Sequence, residues 1–410
     1  MSRKKSTLRD PHVPADTFPA QNRFPAEIGW KRSVSRRSFL KKSAFLTTLA
    51  AGALAGVKSA TGATPASDDR FVHEAMFYEK LHYKKIRCKL CPRKCEIDDH
   101  ERGYCGVREN RGGTYYTLVY SRPCTSHIDP IEKKPFFHFL PGSLAFSIAT
   151  AGCNVNCKFC QNWQISQVRP EQVQSYYMPP ADVASLAAEY RCDSIAYTYS
   201  EPVIFYEYMY NTAEAGHRKG VASVVVTGGY INEDPLKELC KRVDAIKVDL
   251  KAFSEKYYRE VVNGELKPVL DGIETVRKQG TWLEIVYLVV PTLNDSEQEF
   301  RNLARWIRQN LGTDVPIHFS RFYPQYLLKN LPPTPVETLD KAKQICDAEG
   351  LHFVYIGNVP GHPAESTYCP KCGKKIIDRI GYTIRGIHLR NGKCAYCGTP
   401  IPGVWTKRIS

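Results

Sequence analysis

Seven short apolar, β-rich runs, each followed by a helix-like stretch, most constrain how this 410-residue chain can fold. The runs lie at 144–149, 195–199, 223–227, 245–249, 283–290, 317–322 and 353–356. Helical periodicity fills the intervals at 181–191, 203–219, 234–242, 267–279, 296–309 and 336–349. A strand that alternates with a helix must pair with parallel neighbours, because the helix carries the chain back to the start of the sheet. The expected fold is therefore α/β, a partial (β/α) barrel over residues 126–366, flanked by an N-terminal Cys-rich module (64–125) and a C-terminal Cys-rich lobe (367–410). Within 64–87 a polar connector and a short helix are expected.

Parallel βα enzymes build their sites from the residues that follow each strand. Here those residues are the cysteine loop after the first run, Ser200-Glu201-Pro202, Thr227-Gly228-Gly229, Asp249 with Lys251, Pro291 with Asn294, Arg321, and Gly357-Asn358. Polar and glycine residues thus gather on one rim. Turn chemistry alone would scatter them.

Fifteen cysteines decide the chemistry. Cys88/91/95/105, Cys153/157/160 and Cys369/372/394/397 form tight groups, while Cys124, Cys192, Cys240 and Cys346 stand alone. Thiols two or three residues apart bridge one another poorly but converge well on a metal. Cys153-x-x-x-Cys157-x-x-Cys160 supplies three thiolates from one short loop, which leaves one iron of a [4Fe-4S] cluster without a protein ligand. A zinc knuckle with a distant fourth ligand, or a cluster borrowing another cysteine, are the alternatives. Cys88, Cys91, Cys95 and Cys105 suffice for a zinc ion or an accessory iron–sulfur cluster, and spacing does not choose between them. Cys369, Cys372, Cys394 and Cys397 read as a structural zinc ribbon. Cys124 is a replacement ligand or a buried thiol, and the other three lone cysteines are inert core residues. His127, His138 and His318 read as hydrogen-bonded structural residues.

The chain holds 57 lysines and arginines against 42 acids, a formal charge of +15. Its first sixty residues contain twelve of those bases and three of the acids, so the remainder carries only a modest surplus. A nucleic-acid groove is not expected. Ser35-Arg36-Arg37-Ser38-Phe39-Leu40-Lys41, with the short apolar stretch 44–57 behind it, resembles a twin-arginine export signal, so residues 1–63 are expected to be a leader. The implied location is periplasmic or membrane-anchored, with a cytoplasmic location as the alternative. No other segment is apolar enough to span a bilayer.

Longer strings sharpen the reading. Asp129-Pro130-Ile131-Glu132-Lys133-Lys134-Pro135, His138-Phe139-Leu140-Pro141-Gly142-Ser143 and Cys160-Gln161-Asn162-Trp163-Gln164-Ile165-Ser166 resemble the radical S-adenosylmethionine (SAM) component of the AmmeMemoRadiSam system. So do Asp249-Leu250-Lys251-Ala252-Phe253 and Thr367-Tyr368-Cys369-Pro370-Lys371-Cys372. That family is similar in turn to the activating enzymes of pyruvate formate-lyase. The resemblance implies a barrel of the radical SAM type and a [4Fe-4S] cluster on Cys153, Cys157 and Cys160 that cleaves SAM reductively. It also implies an electron donor such as ferredoxin or flavodoxin, and association with Memo-like and AMMECR-like proteins. Glu201, Thr227, Asp249 and Lys251 would line the SAM site, and Phe159 would pack on adenine or fill the core. Ser200 and Gly228 depart from the Asn expected at those positions. No catalytic residue or substrate is readable. An exported iron–sulfur or zinc protein with an electron-transfer or binding role is the competing expectation.

Overall fold

A computed structural model describes residues 69–406; the expected leader and its twin-arginine string lie outside them. The described residues fall within one compact unit. No helix among them is long and apolar enough to cross a membrane.

At the centre is an eight-stranded sheet whose strands follow one another in chain order. Its strands are β1 (Thr125–Pro130), β2 (Leu144–Ala149), β3 (Ser194–Tyr197), β4 (Ala222–Thr227), β5 (Ala245–Asp249), β6 (Trp282–Val289), β7 (Ile317–Arg321) and β8 (Val354–Gly357). From β2 to β8 every neighbouring pair is parallel. Each of the seven apolar runs carries one of these strands. β1 lies antiparallel on β2, with Thr125 opposite Ala149 and Pro130 opposite Leu144. This edge strand escapes a sequence reading because its one apolar residue, Ile128, is only partly buried and the buried position is Asp129. The expected module boundary after residue 125 therefore cuts into β1.

The helices are α1 (Pro180–Glu189), α2 (Tyr206–His217), α3 (Glu233–Cys240), α4 (Leu266–Gln279), α5 (Glu297–Asn310) and α6 (Val336–Ala348). The expected helix at 203–219 opens instead with a 3-10 turn, Pro202–Phe205, capped by the Glu201 carboxylate. Ser296 caps α5 through its hydroxyl, and Phe300, Leu303, Ala304 and Ile307 recur on the buried face. Phe300 meets Tyr287 of β6 and Phe319 of β7 edge-on. Each such side chain contributes roughly 1.5–3 kcal/mol of burial.

When every step runs the same way and each crossover is right-handed, all helices fall on one face of the sheet. The other face becomes the interior of a partial barrel. Alternation along β5 shows both sides. Val248 faces the α4 side, where an added Cβ on Gly229 would meet it at 2.8 Å and Val269 at 3.3 Å. Ala245, Lys247 and Asp249 face inward. At the N-terminal ends of the strands, Ala145, Ala196, Val224 and Ala245 pack against Ile131, Phe136, Phe139 and Leu140. Small residues on the strands leave room for the two phenyl rings that close this end.

The N-terminal module consists of two three-stranded antiparallel sheets. The short helix expected near its start is replaced by single 3-10 turns at Asp69–Phe71 and His82–Lys84. The C-terminal lobe, from Thr367, is built of short antiparallel strands and docks at the closed end of the barrel. Arg379 lies over the Phe137 ring, 4.3 Å from its centroid, and donates to the Phe137 carbonyl at 2.6 Å. Val404 donates to the His138 carbonyl, and Leu140 to the Val404 carbonyl, both at 2.7 Å. The His138 ring bonds the Pro402 carbonyl (2.7 Å) and the Tyr355 hydroxyl (2.5 Å). Glu284 accepts from the His318 ring and from the backbone of Phe137 and His138. Both histidines are thus structural, and the 129–143 string is largely a docking surface for the lobe.

Candidate active site and metal centres

The loop after β2 carries Cys153, Cys157 and Cys160 and is fixed through its backbone. Gly152 has φ +98°, and a Cβ there would meet Val107 at 2.6 Å and the Cys105 carbonyl at 2.8 Å, so only glycine fits. Asn156 and Lys158 donate their N–H groups to the carbonyls of Val262 (3.0 Å) and Val261 (2.9 Å). Those carbonyls belong to a π-helical turn, Tyr258–Val262, whose end would otherwise leave them unpaired. The Asn154 side chain donates to the Tyr230 carbonyl (2.7 Å), and Arg93 donates to the Asn154 carbonyl (2.6 Å) and to that of Asn263. The Cys160 sulfur lies 3.1 Å from the Ser166 hydroxyl.

The rim residues gather around this loop. Glu201 is 3% exposed and accepts from Thr227 Oγ1 (2.5 Å), Gly228 N (2.9 Å) and Val203 N (3.2 Å). It ties the β3 loop to the β4 loop, and burial raises its pKa against those hydrogen bonds. Asp249 sits between two ammonium groups, Lys247 on one oxygen and Lys251 at 3.1 Å on the other. Burial would raise its carboxyl, but the charges of Lys247 and Lys251 hold it at about 2. Lys251 stays charged: burial works against the ammonium, and the Asp249 carboxylate outweighs it. Its backbone is clamped by the Tyr258 hydroxyl (3.1 Å) and by the Asn294 side chain, which donates to the Lys251 carbonyl at 2.8 Å. Phe159 is buried in the main core beside Tyr257, ring centroids 6.2 Å apart.

Burial pushes the Cys157 thiol up to about 12 even with the Lys251 charge beside it, and raises the Cys153 thiol as well. At neutral pH these thiols hold their protons until a metal displaces them. Three unbridged thiols on one anchored loop, with a cation beside them, fit a [4Fe-4S] cluster held by three thiolates.

Cys153, Cys157, Cys160, Glu201, Thr227, Asp249 and Lys251 thus share one end of the sheet. Lys247, Tyr258 and Arg93 also shape the site and are not picked out by motif. Lys247 had a signal: a charge at an inward position of an otherwise apolar strand. The π-turn had none.

In the C-terminal lobe, the sulfurs of Cys369, Cys372, Cys394 and Cys397 all lie within 4.8 Å of one another, a group that could hold a metal ion. Cys369 and Cys397 are 3.6 Å apart, Cys372 and Cys394 3.8 Å. Four sulfurs about 2.3 Å from one tetrahedral zinc stand about 3.8 Å apart. Cys124 donates to the Ala149 carbonyl at 3.5 Å, and no disulfide joins any of the fifteen cysteines.

Comparison with known proteins agrees with this geometry. The radical SAM superfamily model matches residues 147–307. The chain is 44% identical over 332 residues to uncharacterized protein MJ0808 of Methanocaldococcus jannaschii, covering 80% of this chain and 99% of that protein. It is 20% identical over 212 residues to the pyruvate formate-lyase-activating enzyme of Clostridium pasteurianum, covering 47% and 84% respectively. Among solved structures, a radical SAM methyltransferase from Sphaerobacter thermophilus aligns at 18% identity and a TM-score of 0.42, over 53% of this chain and 67% of that one. The class is that of enzymes pairing a three-thiolate [4Fe-4S] cluster with SAM on a mostly parallel βα sheet. The chain carries a radical SAM domain at residues 147–307 and is homologous to pyruvate formate-lyase-activating enzymes.

Proposed function

We propose that this enzyme uses its cysteine loop to cleave SAM and direct the resulting radical at a hydrogen atom of a protein partner, in the manner of an activating enzyme. The observation that carries the reading is the loop of Cys153, Cys157 and Cys160 beside the Asp249–Lys251 pair at the C-terminal ends of the strands. Cys153, Cys157 and Cys160 would hold a [4Fe-4S] cluster there, which, given one electron from a low-potential donor, would supply reductive cleavage of a bound SAM sulfonium. The chain's own residues hold the geometry. The π-turn and Arg93 fix the loop, Glu201 sets the spacing of the β3 and β4 loops, and Lys251 places a positive charge by Cys157.

A low-potential donor of the ferredoxin or flavodoxin kind, Memo-like and AMMECR-like partners, zinc in the terminal lobe and export through the twin-arginine leader complete the reading. Their support is the motif resemblance, the sulfur spacing of the lobe and the homology to activating enzymes. The test is anaerobic reconstitution with iron and sulfide, then dithionite and SAM. The expected products are 5′-deoxyadenosine and methionine, both abolished in Cys157→Ala. An intact cluster that releases neither product overturns the reading. Export is tested by fusing residues 1–65 to a folded reporter and locating it.

A further inference from the structure

The four cysteines of the N-terminal module form a site that differs in kind from the terminal one. Cys88 ends the strand Ile86–Cys88, Cys91 and Cys95 lie in the turn behind it, and Cys105 comes from the turn around Gly103–Gly106. All four line one small cavity, about 20 Å³ in volume, whose other walls include Leu90, Tyr115, Val203 and Ile204. Among the described residues, only the terminal group brings three or more ligand atoms within 4.8 Å of one another. The N-terminal sulfurs stand farther apart, around a space.

That difference selects the metal. A single zinc draws four sulfurs to about 3.8 Å of each other, close to the spacing in the terminal lobe, and leaves no cavity between them. A cubane of four irons and four sulfides holds its thiolates apart by its own bulk. We propose that Cys88, Cys91, Cys95 and Cys105 ligate a second [4Fe-4S] cluster, with a thiolate on every iron and no position for SAM.

The surroundings suit such a group. Arg108 borders the cavity and is 1% exposed, placing a buried cation against a net-negative cluster. Its guanidinium is itself held by a bidentate pair with Glu207, at 3.0 and 2.6 Å. Asn154, next to Cys153, also borders the cavity, is 1% exposed, and is pinned by its amide nitrogen to the Tyr230 carbonyl. The two cysteine sites are adjacent, because the Cys105 carbonyl touches Gly152, the residue before Cys153. Asn232, from the β4 side, holds the knuckle by accepting no slack: its backbone N–H reaches the Leu90 carbonyl (3.0 Å) and its side chain those of Lys89 (2.6 Å) and Cys91 (3.1 Å).

The experiment is metal and sulfide analysis of the full chain reconstituted anaerobically with iron, sulfide and zinc all supplied. The expected content is about eight iron, eight sulfide and one zinc per chain. The combined variant Cys153→Ala, Cys157→Ala, Cys160→Ala should keep about four iron and, once reduced, show a [4Fe-4S] electron paramagnetic resonance signal that SAM leaves unchanged. The pair Cys91→Ser, Cys95→Ser should lower the wild-type iron content by half. Wild-type protein with about four iron and two zinc, or with a [2Fe-2S] spectrum from the triple variant, overturns the proposal. The wild-type count decides the matter even if a variant fails to fold. Failure to cleave SAM with about eight iron bound would refute the proposed activity and leave this site standing.

Discussion

Glu201 shows how a single side chain can govern two loops. Its carboxylate receives three donors, Thr227, Gly228 and Val203, and offers only acceptors in return. In Glu201→Gln one acceptor becomes an NH2 group, which turns a donor toward either Gly228 N–H or the Val203 and Thr227 donors. The expected cost is about 1–3 kcal/mol of stability, measurable by denaturant unfolding, with a loss of SAM cleavage as both loops shift. Lys251→Ala should keep its iron but slow SAM cleavage by at least about tenfold, the equivalent of roughly 1.4 kcal/mol. It removes the cation beside Cys157 and leaves Asp249 paired with Lys247 alone. Iron analysis and product formation, measured together, check both halves of that outcome. At this scale the sequence is informative wherever function needs a particular atom. Thiol spacing marks the cluster loop, and polar residues after strands mark the rim. It is silent on Tyr258 and Arg93, which act on the backbone of distant residues and belong to no local pattern.

At the scale of elements, the apolar runs identify the seven parallel strands because burial on both faces demands continuous hydrophobicity. β1 has no such demand and shows no such signal, since it lies at the edge and buries Asp129 against Lys134, with Lys133 pairing from the surface. The N-terminal sheets are illegible for a related reason: their strands are two to four residues long, too short for any periodicity. One helix end supplies a pH-dependent contact. His217 closes α2 and bonds Asp244 at 2.8 Å, and that hydrogen bond raises its pKa above the usual value. A raised folded-state pKa means the contribution is complete below the unfolded value of about 6.5 and fades as pH rises through the higher folded one. His217→Gln should therefore lower the thermal midpoint at about pH 6 and leave it nearly unchanged at about pH 9. Because the pair is partly exposed, its effect should stay below about 1 kcal/mol.

Across the whole molecule, the two ends of the barrel do different work. The candidate cofactor residues gather where the strands finish, and the terminal lobe seals the end where they begin. Cys372→Ser should thus abolish the metal binding proposed for the lobe and lower the thermal midpoint by several degrees, while SAM cleavage per bound cluster persists below that temperature. Calorimetry alongside product assays checks the separation. The fold class was legible at this scale because alternation is a property of long stretches. The placement of the lobe was not, since it depends on pairings such as Arg379 with Phe137 that no local pattern announces.

Those pairings also bear on how the protein is made. His138 finds its partners at Pro402 and Val404, more than 260 residues later in the chain. While the ribosome is still adding the last strands, Phe136 and Phe139 have only part of their eventual cover. The barrel's floor is laid only after the stretch around Val404 has been translated, and a nascent chain must shield that apolar surface until then.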